Sequence, residues 1–392
     1  MNYRKTKHAK SIAFIHHRGE FDSVPSLMGS VKLLSQAGYA TDLIFIADPA
    51  FAPPCFDEES VHLVALPSLR RLPLPESIRR ILEALILFLG VFWRSGTRRY
   101  SWLVGIDPVG LIISGICATI FRLRYCYISL EILFSGEIKS GYLKTLKRLE
   151  RYYNQRCAFT IIQDRVRADL LAKENGVPHE SILLLPNSPL GEVNPQHSRY
   201  LRERLDIPDD QKVVLHVGTL SKWTCTPQLL DVSRSWPATL KLVLHSRERG
   251  SEIGFDLADH PRLQISEGPV SSQDLPELIA SADIGLVLYC IDEQHFMHRD
   301  NILYVGLSSG KMAEYLRCGV PVVVSAFPGM CDLMEEYHCG VCIAEMDEMA
   351  DAIHTILADW ANYSRGALRC FDEVFHFERH FAAVLSKLQH YS

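Results

Sequence analysis

Short apolar and β-branched runs alternate with segments of helical period along the whole chain. In the first half the runs are SIAFIH (11–16), TDLIFI (41–46), VHLVAL (61–66), WLVGI (102–106), YCYISL (125–130), FTIIQ (159–163) and ILLLP (182–186). In the second half they are KVVLHVG (212–218), LKLVLHS (240–246), RLQIS (262–266), DIGLVLY (283–289), VPVVVS (320–325) and GVCI (340–343). Strand runs separated by helical patterns are the signature of open parallel sheets. The helical patterns include PSLMGSVKLLSQAG (25–38), which ends on a glycine, and the segments 227–235, 272–282, 309–317 and 347–360. The polar stretch Asn187–Ser198 separates the halves. The last segment, 372–388, places Phe375, Phe381 and Leu385 near one helical face and predicts a packing helix that crosses back onto the first domain.

A chain of 392 residues, 47% hydrophobic and 22% charged, suits a soluble protein of two domains. Eleven cysteines occur with no CxxC pair and no zinc-like Cys/His spacing, which predicts reduced, buried thiols of a cytosolic protein. The opening MNYRKTKHAKSIAFIHH predicts a first strand, not a signal peptide. The segment Ile81–Trp93 is apolar but too short to span a bilayer, and arginines flank it at 79, 80, 94, 98 and 99. With both faces apolar, it predicts a buried helix with solvated ends. The other reading is a helix lying on an anionic membrane surface.

The charge is uneven. Residues 1–190 hold 24 Lys and Arg against 17 Asp and Glu, and residues 191–392 hold 17 against 29, so a net +7 sits beside a net −12. The basic half is expected to meet something anionic. No aromatic-interleaved basic motif points to nucleic acid.

Most of the chemistry lies in SSGKMAEYLRCGVPVVVS (308–325). Ser-Ser-Gly-Lys opens an amphipathic helix, and a helix N-terminus carries about half a positive charge with free N–H groups. Lys311 adds a full charge, and Glu314 lies one turn on, about 5–6 Å away on the same face. That pair fits a sugar nucleotide, with diphosphate on the helix end and a ribose hydroxyl on the carboxylate. The same residues also fit an ordinary helix start before a core strand. Open α/β sheets bind ligands at strand C-termini, and a cleft between two such domains is the default site.

The series LPNSP (185–189), LRERLDIPDDQKVVLHVGTLSK (201–222), GPVSSQDLPELIASADIGLVL (268–288) and SSGKMAEYLRCGVPVV (308–323) resembles the C-terminal domain of family 4 glycosyltransferases (glycosyl transferases group 1). In the first half GIDPVGL (105–111), SLE (129–131) and LERYYNQRCAFTIIQDRVRADLL (149–171) are similar to family members. The resemblance implies an α/β chain of the GT-B fold, two Rossmann-like parallel-sheet domains facing each other across a cleft. Residues 1–190 would then bind the acceptor, 191–370 the nucleotide sugar, and 371–392 would pack back on the first domain.

The family pattern also implies roles. Gly218 allows close backbone approach to a phosphate, and Lys222 stands where a lysine stabilises the leaving diphosphate. Thr219 replaces an arginine common in the family, and Arg247 offers a substitute cation. Val270 falls where the backbone meets the base, and Glu314 matches the ribose-binding glutamate. Gly306 occupies the place of the family's first glutamate, and Ser308, Ser309, Gly310 and Lys311 take over the loop. In the first domain Glu131 would orient or deprotonate the acceptor and His17 would hydrogen-bond it, whereas Asp107 before Pro108 suits a turn. The polar loop 292–301 would serve as a lid. Its His295 and His298 have metal-like spacing without a third ligand, so no metal is assigned.

The expected enzyme is a retaining, metal-independent glycosyltransferase of polysaccharide biosynthesis that needs no cofactor beyond its co-substrate, a UDP- or GDP-sugar. Its acceptor would be a glycan or lipid-linked sugar. Its place would be the cytoplasm, at the inner face of the membrane through peripheral contact by the basic N-terminal domain. A nucleotide-sugar hydrolase or epimerase on the same fold, and a non-catalytic nucleotide-sugar-binding module, remain as alternatives.

Overall fold

The computed structural model describes residues 10–19, 21–48, 53–195, 197–247, 260–271, 274–291 and 299–390. They form two compact units. One runs to Pro186 and resumes at Phe377, and the other spans Asn187–His376.

The first unit contains strands β1 (Ser11–His16), β2 (Ala40–Ile46), β3 (Val61–Leu66), β4 (Trp102–Ile106), β5 (Arg124–Ile128), β6 (Thr160–Ile162) and β7 (Ile182–Leu184). Its helices are α1 (Pro25–Gln36), α2 (Glu76–Thr97), α3 (Asp107–Phe121), α4 (Gly141–Asn154) and α5 (Arg165–Asn175), with the chain's last helix, Phe377–His390. The strands form one parallel sheet in the order β3-β2-β1-β4-β5-β6-β7. The order reverses between β1 and β4, where an open sheet of this kind takes its ligands at the strand C-termini. Gly110 makes that junction tight. A Cβ there would come 2.3 Å from the Ile15 carbonyl, so only glycine lets α3 sit directly on β1.

Beneath β5 and β6 lies a buried polar network. Lys147 donates to Glu150 at 3.0 Å and to Asn175 at 2.6 Å. Asn175 in turn donates to Glu150 and Asn154, and Tyr127 donates to Glu150 at 3.1 Å. The 149–171 run is therefore polar partly because it ties α4, α5 and β5 together internally.

Helix α2 departs from the expectation of burial. Glu83, Leu87, Val91 and Ser95 face inward, while Leu85, Leu89 and Trp93 are exposed. Apolar residues surround the helix, but only one stripe finds a partner.

The second unit contains α6 (Tyr200–Leu205), β8 (Lys212–Val217), α7 (Thr226–Ser233), β9 (Leu240–Ser246), β10 (Leu263–Glu267), α8 (Leu275–Ala280), β11 (Ile284–Val287), α9 (Arg299–Leu303) and α10 (Gly310–Arg317). It continues with β12 (Val322–Ser325), α11 (Met330–Tyr337), β13 (Gly340–Ile343), α12 (Met349–Ala358) and α13 (Trp360–Cys370). The chain's last helix is thus α14. The six strands form a parallel sheet in the order β10-β9-β8-β11-β12-β13. Val213 and Leu215 enter one apolar layer and Val214, Leu242 and Leu244 the other, so the strands are apolar on both faces.

The cysteines also correct the sequence reading. Cys225 is bonded to Cys290, and Cys331 to Cys342, leaving seven free thiols. The first pair is 65 residues apart and is joined only by the meeting of the β8 and β11 exits, which spacing alone does not reveal.

Candidate functional site

In the second unit the predicted donor residues all lie at the C-terminal edge of the sheet. Gly218 follows β8 with φ of +110°, a conformation that suits glycine, and a Cβ there would meet nothing within 4 Å. Its amide donates to the His245 carbonyl at 3.0 Å, which brings the exit of β9 and Arg247 alongside. Thr219 is exposed, and its carbonyl accepts from the Thr224 hydroxyl at 3.1 Å. The same Thr224 oxygen accepts from the Ser221 amide at 3.0 Å, so the turn that carries exposed Lys222 is fixed from within.

That turn is tied to the exit of β11. The Cys290 amide donates to the Trp223 carbonyl at 2.8 Å, the Trp223 and Tyr289 rings stack at 5.9 Å, and the Cys225–Cys290 disulfide closes the link. Tyr289 then reaches α10. Its hydroxyl shares a 2.8 Å hydrogen bond with Ser309, the residue before the helix. Ser309 therefore spends its side chain on Tyr289, and no side chain caps α10. The Ser308 hydroxyl donates to the Val305 carbonyl, and the Ser308 carbonyl accepts from Asn187 at 3.1 Å. Val270, after β10, packs on the apolar layer that holds Met312, Ala313 and Tyr289.

Two charges on α10 stand out. The Lys311 ammonium is out of solvent with no hydrogen-bond partner among the described residues, 4.9 Å from the Tyr289 ring centroid. Burial pushes its pKa down to about 8. One turn on, Glu314 Oε2 is likewise buried and unpartnered, and burial pushes the carboxyl up to about 7 against the opposing pull of Arg317. His216 on β8, absent from the sequence-derived site, is fully buried with Nδ1 unpartnered. Burial first, and the Lys311 charge second, hold it down to about 3, so it is a neutral imidazole. Unpartnered buried charges are costly in a folded protein unless something supplies their partners.

In the first unit the candidates gather at the C-terminal ends of β1, β4, β5 and β6. Asp107 does more than form a turn. It has φ of +55°, and its carboxylate accepts from the Leu130 and Glu131 amides at 2.9 and 3.3 Å. It therefore sets the loop that presents exposed Glu131. Buried Arg167, also missed, donates to the Leu130 carbonyl at 2.7 Å and to Gln163 at 2.8 Å, bracing that loop from below. His17 follows β1, half-buried, with Nε2 unpartnered, and burial lowers its pKa to about 4 despite the pull of Glu83. Only residue type and position after a strand could have pointed to these groups.

A cavity of about 300 Å³ lined by Ile116, Ile120, Tyr125, Tyr153 and Arg156 borders the start of β5, at the opposite edge of the sheet from these residues. Glu192, Asp372 and His376 bring one ligand atom each within 4.8 Å of one another, and His376 pairs with Glu192 at 3.3 Å. His295 and His298 lie outside the described residues.

Known proteins share this architecture. Residues 251–370 match the family described as glucosyltransferase 3-like, C-terminal domain. The chain is 23% identical over 275 residues to the chitobiosyldiphosphodolichol beta-mannosyltransferase of Candida albicans, covering 65% of this chain and 52% of that protein. It thus spans about half the length of the curated relative it matches. Among solved structures it is similar to sucrose-phosphate synthase from Thermosynechococcus elongatus, with a TM-score of 0.71 at 15% identity over 98% of this chain and 100% of that one. It is also similar to HepE of Anabaena in complex with UDP-glucose, with a TM-score of 0.67 at 18% identity over 96% and 99%. The chain has the GT-B fold, and the comparisons together support a glycosyltransferase.

Proposed function

We propose that the protein transfers a sugar from a nucleotide-sugar donor, such as a UDP- or GDP-sugar, to a hydroxyl of a glycan or lipid-linked acceptor, with retention and without a metal. The Lys311 ammonium and Glu314 Oε2, buried without hydrogen-bond partners among the described residues and one turn apart on α10, carry this reading. The HepE complex, with UDP-glucose bound, supports the donor class. A diphosphate would supply the negative partner for Lys311, the uncapped end of α10 and Lys222, with the Gly218 and Thr219 turn close to its oxygens. Ribose hydroxyls would supply donors to Glu314, and the base would lie by Val270. Arg247, after β9, would add the charge that Thr219 does not carry.

In the reaction the glycosidic C–O bond breaks and its electron pair passes to the leaving phosphate oxygen. The acceptor oxygen bonds to the anomeric carbon from the same face, and its proton passes to that phosphate. Ser309, held by Tyr289, keeps the end of α10 aimed at the developing charge. Glu131 and His17 would orient the acceptor, with neutral His17 able to accept its hydrogen bond. The proposed acceptor class would put the protein in peripheral contact with the inner face of a membrane, where lipid-linked acceptors would be built up into polysaccharide.

A thermal-shift panel of nucleotide sugars, followed by product analysis with and without acceptor, tests the reading. Ligand at 100 times its Kd stabilises by about 2.7 kcal/mol. One UDP- or GDP-sugar should do this, and Lys311→Ala should lower kcat by roughly a hundredfold or more. Donor turnover without acceptor would mark a hydrolase or epimerase. Nucleotide binding without turnover would mark a binding module, an outcome that Gly306 and Thr219 make worth testing.

A further inference from the structure

Helix α2 carries a second apolar stripe that the protein does not cover. Ile78, Ile81, Leu85, Leu89, Phe92 and Trp93 recur at steps of three, four and one, which places them along one face. That face is the exposed one, with Ile81 and Leu85 each 50% accessible, Leu89 55% and Trp93 73%. The inward face is mixed, with Leu87 and Val91 beside Glu83 and Ser95, and polar contacts tie the helix down at both ends. Glu83 accepts from the Leu69 amide at 2.8 Å and from the Ser68 hydroxyl at 3.0 Å, and Arg94 and Arg98 both reach Asp42, at 2.8 and 2.9 Å. The stripe extends sideways, because Phe92 packs on Phe121 at 5.0 Å and the neighbouring Ile120 is 53% exposed.

From Ile78 to Trp93 the stripe is about 22 Å long at 1.5 Å per residue. Among the described residues no helix is long and apolar enough to cross a membrane, so the stripe can lie on a bilayer but not span it. Its charge pattern selects the partner. Between residues 77 and 99 the only acid is Glu83, which is buried, while exposed Arg71, Arg98 and Arg99 and half-buried Arg79 and Arg80 stand at the two ends. Glu76 offsets part of the charge of Arg79 and Arg80, and Asp42 part of that of Arg94 and Arg98, so each end keeps a net positive charge. An apolar centre, a terminal tryptophan and cationic ends match a headgroup–acyl boundary with anionic lipid.

We propose that α2 is an interfacial anchor, which lays its Ile78–Trp93 stripe into the surface of an anionic lipid bilayer. The same helix reaches the candidate acceptor edge of this unit, since its Glu83 and Arg80 act electrostatically on His17. The anchor would thus hold a lipid-linked acceptor's membrane beside the strand ends that meet it. The inference takes up the membrane contact of the proposed function. Vesicle binding is read without donor turnover, so failure of one leaves the other standing.

The test is flotation of the full chain with phosphatidylcholine vesicles, with and without phosphatidylglycerol. The protein should float with the anionic vesicles, salt should weaken but not abolish this, and Trp93 emission should shift to the blue. Leu85→Glu with Leu89→Glu should lower partitioning by roughly a hundredfold, each substitution removing a burial worth about tenfold or more. The donor-induced thermal shift and circular dichroism of that variant should be unchanged. Trp93→Ser, at the most exposed position of the stripe, gives a second and milder loss. Wild-type protein that stays at the bottom of the gradient, or charged variants that float as well as wild type, overturns the proposal. So does a wild-type dimer that the double variant breaks while vesicles bind neither form, since the face would then join two copies.

Discussion

The Tyr315 hydroxyl accepts the Val217 amide proton at 3.1 Å, one residue before Gly218, so α10 is fastened to the exit of β8 beside the candidate donor site. The same hydroxyl donates to the Leu215 carbonyl at 2.8 Å. Its ring lies flat against Gly285, where a Cβ would sit 2.5 Å from the ring. Tyr315→Phe should cost about 1–3 kcal/mol, because two buried backbone groups lose their partner. Donor KM should rise with it, as the Gly218 turn loosens relative to Lys311. Denaturant melts and initial rates report the two effects separately, and an unchanged KM would limit Tyr315 to stability.

Activity should depend on pH in a narrow window. In the free protein Glu314 ionises only above about 7 and Lys311 loses its proton above about 8. The proposed binding mode needs both charged, so kcat/KM should trace a bell with limbs near those values. Glu314→Gln should flatten the acid limb. It should also raise Tm at pH 8 more than at pH 5, because the buried carboxylate penalises the folded state only once ionised, on the order of 3 kcal/mol. Equal Tm changes at the two pH values would contradict this account.

Acid should unfold the second unit through its histidines. His216 is held down to about 3 and His245 to about 4, both mainly by burial, below the 6.5 of the unfolded chain. Between these values the unfolded chain binds protons that the folded one refuses. Stability is therefore complete above about 6.5 and drains away as pH falls, at up to about 1.4 kcal/mol per pH unit for each group. His216→Phe should make the fall of Tm from pH 6.5 to 4 visibly shallower, and an unaltered slope would remove His216 from the explanation.

Lys147→Met should destabilise by about 3–5 kcal/mol, since it strands Glu150 without its counter-charge in the interior. Nucleotide affinity, measured by titration on the folded variant, should be unchanged.

Thiol titration of denatured, unreduced protein should find seven reactive cysteines, matching two disulfides among eleven. A count of nine would show that one pair meets without bonding, and a count of eleven that both Cys225–Cys290 and Cys331–Cys342 do.

Both sheets were legible in the sequence because each strand is buried on two faces and stands out as an unbroken apolar run, as in VVLHV and LKLVLHS. The placement of Lys311 and Glu314 one turn apart on α10 was legible too, since they sit at helical spacing before a strand. His216 was hidden inside such a run, where a histidine resembles one more core residue. Arg167 and Asp107 were hidden because their work is done on backbone groups more than twenty residues away. Helix α2 misled for a different reason. A segment apolar all round says that two faces need company but not which of them the protein itself supplies.

Trp102, in the fourth strand, donates its indole proton to the Leu388 carbonyl at 3.1 Å, across 286 residues of chain. The first unit is therefore closed by α14, a helix that is synthesised only after the entire second unit. At about 5–20 residues per second, its sheet waits on the order of tens of seconds for α14 while the entire second unit is being made. A nascent chain that has just completed the second unit therefore still has an open first unit. A stop codon late in the message would thus damage the half of the protein encoded earliest.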